Sequence, residues 1–226
     1  MSVVEVSALE RAIVRQCSPT LAALKPASLF TFPGKFLADE PAEFSAALAA
    51  RSRLTKALEV CSLQLREYGI RMRTLVWRPC GTLIYVYRPE MLTAYLADPR
   101  AADALRNAGY PIGNLEGCID LLAAHIARAG NRQAESCSRA RPCPCGDQGC
   151  DREFPHELGY FLGYPYADVA EFIRQRGKNY LAVGLWKVYS ERERALATFA
   201  RYKRCARTMM RAYRRHGRLA GLAVRA

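Results

Sequence analysis

Four cysteines fall within fourteen residues as Cys137-x5-Cys143-x-Cys145-x4-Cys150, the densest run of ligating side chains in this 226-residue chain. Thiolates are preferred ligands of zinc and of iron–sulfur clusters. Pro142, Pro144, Gly146 and Gly149 supply turns that could wrap four sulfurs around one ion. The spacing matches neither paired C-x2-C motifs nor a ferredoxin run, and a single residue between Cys143 and Cys145 suits a zinc knuckle poorly. A redox-sensitive loop without metal is therefore the alternative.

Two further thiols, Cys17 and Cys205, lie near opposite ends of the chain beside basic residues: Arg15 and Lys25 for the first, Lys203 and Arg204 for the second. Neighbouring cations favour the reactive thiolate. If the last helix packs near the first loop, the two could form a redox pair or ligate a metal; the plain alternative is two semi-buried structural cysteines.

His156 and Glu157 follow Pro155 in what reads as the first turn of a helix. The helix dipole there disfavours the imidazolium, which suits a neutral ligand or base. Tyr160 stands where a His-Glu-x-x-His zinc motif would need its second histidine. Lys178 and Asn179, in Gly177-Lys-Asn-Tyr180, could present a cation and an amide to an anionic ligand, as could Lys25. A Gly-rich phosphate loop and a dinucleotide fingerprint are both missing, so a nucleotide is weakly indicated. In a cysteine enzyme, Cys17 would be the nucleophile and His156 the base, within hydrogen-bond reach of one another.

These groups need elements to hold them. Half of the residues are hydrophobic, as in globular proteins, which excludes a disordered polyelectrolyte. No apolar run approaches the roughly 20 residues of a membrane span. The first ten residues carry acids and no basic region, so a secretory signal is not expected. Nine cysteines, an odd number, argue for reduced thiols or metal ligation rather than a disulfide framework. A cytoplasmic location is expected.

The net charge is +13, yet residues 201–226 carry nine bases and no acid, leaving 25 bases against 21 acids elsewhere. Polyanion binding is thus a property of the C-terminal end. It could meet nucleic acid, an acidic protein or anionic lipid. Nucleic acid is the less favoured, because no nucleic-acid-binding motif accompanies the charge.

Periodicity predicts helices over 4–16, from a cap at Asp39 with Pro41 in its first turn to about Tyr68, with Phe44, Leu48, Leu54, Leu58, Cys61 and Leu65 as its apolar stripe, then over 89–97, 99–108, 114–129 and 166–176, the last with Val169, Phe172 and Ile173 inward. A short helix is expected within 154–165, where Gly159 and Gly163 suggest close backbone packing. Residues 18–32 read as a loop leading into a strand at 28–32, because of Pro19 and Pro26. Further strands are expected at 71–78, 82–88 and 181–188, the third of these four covered on both faces. Ser190 and Glu193 form a capping box for a last helix, whose apolar stripe is Leu196, Phe199, Tyr202, Ala206, Met209 and Tyr213. Past His216 the pattern fades into a tail. Residues 130–153 hold no Leu, Ile, Val, Met or aromatic residue and read as an insertion organised by its cysteines.

Four stretches together resemble a bacterial family catalogued as domain of unknown function 3793 (DUF3793). They are Cys17-Ser-Pro-Thr-Leu-Ala-Ala-Leu-Lys25-Pro-Ala-Ser-Leu-Phe30 and Leu83-Ile-Tyr-Val-Tyr-Arg88; then Phe154-Pro-His-Glu-Leu-Gly-Tyr-Phe-Leu-Gly-Tyr-Pro165 with Gly177-Lys-Asn-Tyr180; and Trp186-Lys-Val-Tyr189 with Tyr202-Lys-Arg-Cys205. The resemblance covers about residues 10–206. It implies a setting in anaerobes, near flavodoxin and iron-uptake genes, an association without a mechanism; the acidic partner that the basic C-terminal end could touch would then be a flavodoxin or another acidic protein.

The expectation is one α+β domain over 1–206, a sheet of about four strands surrounded by helices. It carries the Cys-rich insertion 130–153, and a basic helix end and tail follow at 207–226. The favoured function is a cytosolic accessory protein of anaerobic redox or metal metabolism, binding a small ligand or metal near Cys17, Lys25, His156, Glu157, Lys178, Asn179 and Cys205. A nucleic-acid- or acidic-partner-binding module and the Cys17/His156 enzyme are the alternatives.

Overall fold

The computed structural model describes residues 3–38, 40–78, 81–136 and 155–225. Cys137, Cys143, Cys145 and Cys150, with the proposed Asp39 cap, lie outside the described residues. Eight helices and five strands follow in the described chain: α1 (Val3–Leu21), β1 (Ala27–Pro33), α2 (Phe44–Arg66), β2 (Arg71–Arg78), β3 (Gly81–Tyr87), α3 (Pro89–Ala97), α4 (Pro99–Asn107), α5 (Leu115–Ser136), α6 (Leu158–Phe161), α7 (Tyr166–Arg174), β4 (Ala182–Val183), β5 (Lys187–Val188) and α8 (Arg192–His216). Short 3-10 turns lie at Pro41–Glu43 and Ala220–Leu222. This is the expected α+β domain, with a small antiparallel sheet among helices.

The sheet has the order β1-β3-β2, with both pairings antiparallel. All seven residues of the central β3 are buried, as its unbroken apolar run predicts. Successive side chains of a strand point to opposite faces. Ile84 and Val86 therefore join one core with α1, α2 and Tyr213 of α8, whereas Leu83, Tyr85 and Tyr87 join a second with α3, α4, α5 and α6. In β2 the register shifts between Thr74 and Val76. One extra residue reverses the alternation, so Met72 and Trp77 reach the first core while Leu75 and Val76 reach the second.

Helix α1 runs on to Leu21 through Pro19, where a loop was expected. Proline removes one backbone donor and disfavours a helix interior. Here the Ser18 hydroxyl donates to the Val14 carbonyl, and the last carbonyls are held from outside. The buried Arg88 guanidinium donates to the carbonyls of Thr20 (2.7 Å) and Leu21 (2.8 Å). It also reaches Tyr68 (2.8 Å) beyond α2 and Val224 (2.7 Å) near the C-terminus. Residues after His216 are correspondingly packed: Leu219 and Ala223 belong to the first core.

The eight-residue strand expected at 181–188 is instead a tight hairpin of two two-residue strands, β4 and β5, in a sheet of its own. The reversal is at Gly184, where a Cβ atom would come within 2.2 Å of the Phe199 ring. The capping box at Ser190 does not form either. Glu191 precedes α8 in the left-handed region with no side-chain cap, and the Ser190 hydroxyl donates to Asp168 (3.1 Å). In α2 the expected stripe is buried from Leu54 onward, but Phe44 and Leu48 are exposed. The expected inward Ile173 of α7 is exposed as well, as is Leu196 of α8. Helix α5 continues to Ser136, past the expected start of the insertion. No helix of the described residues is long and apolar enough to cross a membrane.

Candidate functional site

The polar centre of the 155–190 region is Asp168, on the first turn of α7 and 2% exposed. One carboxylate oxygen accepts from the backbone N–H groups of Tyr189 (2.8 Å) and Ser190 (2.9 Å). The other accepts the indole N–H of Trp186 at 2.7 Å. The carboxylate thus meets donors only, with the Ser190 hydroxyl at 3.1 Å as the fourth. It fixes the hairpin, the start of α8 and the plane of the Trp186 ring together.

That ring forms one wall of a pocket of about 170 Å³, lined also by His156, Leu158, Leu162, Tyr164, Val169, Phe172 and Lys187. Tyr164 stacks on Trp186 with ring centres 5.1 Å apart, and Phe199 meets the same indole edge-on at 4.5 Å. His156 packs edge-on against Phe172 at 5.2 Å. Lys187 donates to the Gly177 carbonyl at 2.9 Å and lies over the Phe172 and Tyr180 rings. Backbone closeness makes this packing possible. Gly163 has φ +68° and a Cβ there would sit 2.4 Å from the Pro26 ring, as the pair Gly159 and Gly163 leads one to expect. The Tyr85 hydroxyl donates to the Phe161 carbonyl at 2.6 Å, tying α6 to the centre of the sheet.

Lys25 lies behind this wall, its ammonium 5.2 Å from the Tyr164 ring centre. Burial lowers it to about 8, partly opposed by Cys17. Cys17 itself is fully buried. Burial pushes its thiol up to about 12, and the opposing influences of Lys25 and of a hydrogen bond with Ser28 do not reverse this. Desolvation thus outweighs the cation that the sequence places beside it. Cys205, on α8, is half-buried and donates to the Ser18 carbonyl at 3.5 Å, which sets it beside the residue that follows Cys17. Burial also raises the Cys205 thiol. Cys17 and Cys205 thus share the α1–α8 contact. Among the described residues no hydrogen bond or ion pair joins Cys17 to His156.

Glu157 points away from the pocket into a second polar group. Its carboxylate accepts the Tyr110 hydroxyl at 2.9 Å and lies 3.2 Å from Nδ1 of His125, which is itself 3.1 Å from that hydroxyl. Burial and the adjacent carboxylate raise Tyr110 strongly. Lys178 and Asn179 are exposed on the turn after α7, Asn179 at φ +58°. The structure therefore sets Lys25 against the Tyr164 ring, Cys17 and Cys205 along the α1–α8 contact, and His156 in the pocket. Glu157 engages His125, and Lys178 stays in solvent.

Sequence reasoning missed Asp168, Tyr110 and His125. Asp168 resembles an ordinary first-turn acid, and only its long-range donors distinguish it. His125 carried a usable signal: it sits at the edge of the α5 apolar stripe, next to Ile126. Among the described residues there is no group of three or more His, Cys, Asp or Glu able to hold a metal ion.

The family described as "Protein of unknown function (DUF3793)" matches residues 13–223. The match takes in the packed segment after α8, beyond the end of the resemblance at 206. No curated protein and no solved structure matches the chain.

Proposed function

This chain belongs to the DUF3793 family, and we propose that it serves as a binding protein for a small apolar or aromatic group held between His156 and Trp186. The observation that carries this reading is the pocket of about 170 Å³ walled by Tyr164, Phe172 and Trp186. That volume is close to an engineered cavity of about 150 Å³ that takes up benzene. The ligand is thus a six-membered ring or a branched chain of similar size. The walls supply dispersion and stacking contacts. Of the polar residues at the wall, Asp168 and Lys187 are engaged with Trp186 and the Gly177 carbonyl, and His156 is able to donate or accept one hydrogen bond and so to orient a hydroxyl or carbonyl substituent.

A cytoplasmic accessory role in anaerobic redox or metal metabolism is the setting we assign to this pocket. It is supported by the free thiols of Cys17, Cys61, Cys118 and Cys205 and by the four family-like stretches. Nothing in the pocket's lining calls for a covalent step.

A Trp77→Phe variant leaves Trp186 as the sole indole. Its emission is titrated with indole, p-cresol and benzoate. At least one probe gives a saturable change, and Leu158→Phe, which fills the pocket, removes it. No saturable response to any probe, or one that Leu158→Phe leaves intact, overturns the reading.

A further inference from the structure

The outer face of α8 carries a strip of cations that the pocket does not use. At about 100° per residue, Arg201, Lys203, Arg204, Arg207, Arg211, Arg214 and Arg215 fall within an arc of about 160°. All seven are exposed, and Arg218 extends the row past the helix end. The complementary arc holds Phe199, Tyr202, Cys205, Ala206, Met209, Met210 and Tyr213, all buried or partly buried. No acid follows Glu193 in the chain. Among the described residues the nearby ion pairs are Arg194–Glu191 and Arg225–Glu67, and neither uses a member of the strip.

The strip is also held rigid. Tyr202 donates to the Leu24 carbonyl (3.1 Å), Cys205 to the Ser18 carbonyl (3.5 Å) and Tyr213 to the Glu10 carboxylate (2.9 Å). These three anchors on the inner side lock α8 against α1 and its following loop. The outer cations are therefore presented in fixed register over about 21 Å from Arg201 to Arg215.

We propose that this face of α8 docks on the phosphate backbone of double-stranded DNA, without reading its sequence. The composition of the face selects the partner. From 200 to 218 its exposed residues are Arg and Lys with only Ala200, Thr208, His216 and Gly217 between them. A protein partner would require an apolar centre to the interface, and the strip has none: Leu196, exposed on the same side of α8, lies before the strip begins. A lipid surface would require an apolar side free to insert, but that side of α8 is in the core. Single strands are held by exposed aromatic rings, and Tyr202 and Tyr213 point inward. A duplex needs only cations in two rows. Lys203, Arg207 and Arg214 form one edge of the arc, and Arg201, Arg204 and Arg215 the other. The major groove of B-DNA, about 12 Å wide, admits a helix with a phosphate strand on each side, whereas that of duplex RNA is too narrow.

The test is fluorescence anisotropy of a labelled 24-base-pair DNA duplex with the full chain, at salt concentrations from about 50 to 200 mM. With five or six phosphates neutralised, affinity falls about a thousandfold across that range. Replacing Arg204, Arg207, Arg211 and Arg215 together by Gln weakens binding about 100-fold and flattens the salt slope by roughly 0.9 for each phosphate no longer neutralised. The same four positions changed to Lys keep affinity within about fivefold, because phosphate contacts need charge. A control in which Arg66, Arg100, Arg106 and Arg174 become Gln removes equal charge elsewhere and keeps binding. The proposal is overturned if DNA is not bound at the lowest salt, or if the control loses as much as the strip variant. It is overturned equally if duplex RNA, polyglutamate or phosphatidylserine vesicles bind more tightly than DNA at equal salt.

Discussion

The guanidinium of Arg88 donates to the carbonyl of Val224 at 2.7 Å, across 136 positions of sequence. Together with Thr20, Leu21 and Tyr68 it gathers four carbonyls from three chain segments. Arg88 is 2% exposed and has no acidic partner among the described residues. Burial lowers its pKa, but the guanidinium stays charged in proteins, and helix-end carbonyls supply the compensating negative potential. Val224 returns the link by donating to Leu21 at 3.1 Å.

Arg88→Met keeps an unbranched apolar stem and abandons every one of those carbonyls. A lost hydrogen bond to a charged group costs about 1.5–3 kcal/mol, and the set is not additive. The expected loss is about 4 kcal/mol, a fall in Tm of roughly 10 °C for a chain of this size. Removing residues 219–226 gives a smaller loss in the same direction. Calorimetry on both variants checks the order.

Asp168→Asn replaces a carboxylate by an amide in a site that offers only donors: Trp186 Nε1, two backbone N–H groups and the Ser190 hydroxyl. One of its terminal atoms then faces a donor with a donor. A loss of about 2–4 kcal/mol in urea denaturation is expected. In the Trp77→Phe background, Trp186 emission shifts to the red as its ring gains water. An unchanged spectrum with lowered stability would mean that Asp168 holds the hairpin but not the indole.

Thiol reactivity separates the two members of the proposed pair. Cys17 is fully buried with its thiol near 12, whereas Cys205 is half-buried on α8. Reaction with iodoacetamide requires an accessible thiolate. Peptide mapping at pH 8 finds Cys205 alkylated at least about tenfold faster than Cys17, Cys61 or Cys118, with the difference abolished in urea. Equal rates in the native protein would show that α8 opens away from α1.

Much of this was readable in the chain because it depends on local pattern. The apolar run of β3 announces a strand covered on both faces, and the three-and-four spacing of Phe199, Tyr202, Ala206, Met209 and Tyr213 announces the inner face of α8. Gly159 and Gly163 announce close packing before any neighbour is known. What failed depends on partners far along the chain. Pro19 reads as a helix stop, since local sterics disfavour it, and only the Arg88 clamp shows why α1 continues. Residues 181–188 read as one strand until Phe199 occupies the space that a side chain at 184 would need. Ser190 has every local mark of a cap, but a buried carboxylate 22 positions away takes its donors. The site was legible only in part, for His156 and Lys25 announce themselves by type, while Asp168 and His125 matter through what surrounds them.

Lys25 and Cys17 give stability opposite dependences on pH, and the difference can be isolated. Lys25 falls from 10.5 to about 8 on folding because burial disfavours its charge. Below about pH 8 the folded protein bears the full cost of the buried ammonium; as pH rises towards 10.5 the folded state is already neutral while the unfolded chain is still losing its proton, and stability rises. Cys17 moves the other way, from 9.0 to about 12, again by burial. Its contribution is whole below pH 9 and is lost as pH climbs towards 12. Between pH 8 and 9 the Lys25 effect therefore acts almost alone, and from 9 to 10.5 the two oppose. Urea denaturation of the wild type, Lys25→Met and Cys17→Ala at pH 7, 8.5, 9.5 and 11 separates them. Lys25→Met is expected to be more stable than the wild type at pH 7, by about 2 kcal/mol, with the advantage gone by pH 11. Cys17→Ala leaves a small cavity and is less stable at pH 7, but its deficit shrinks between pH 9.5 and 11, where the wild type begins to lose what the buried thiol contributes. A Lys25→Met difference that stays constant from pH 7 to 11 would mean that the ammonium is hydrated in the folded protein and does not sit behind Tyr164.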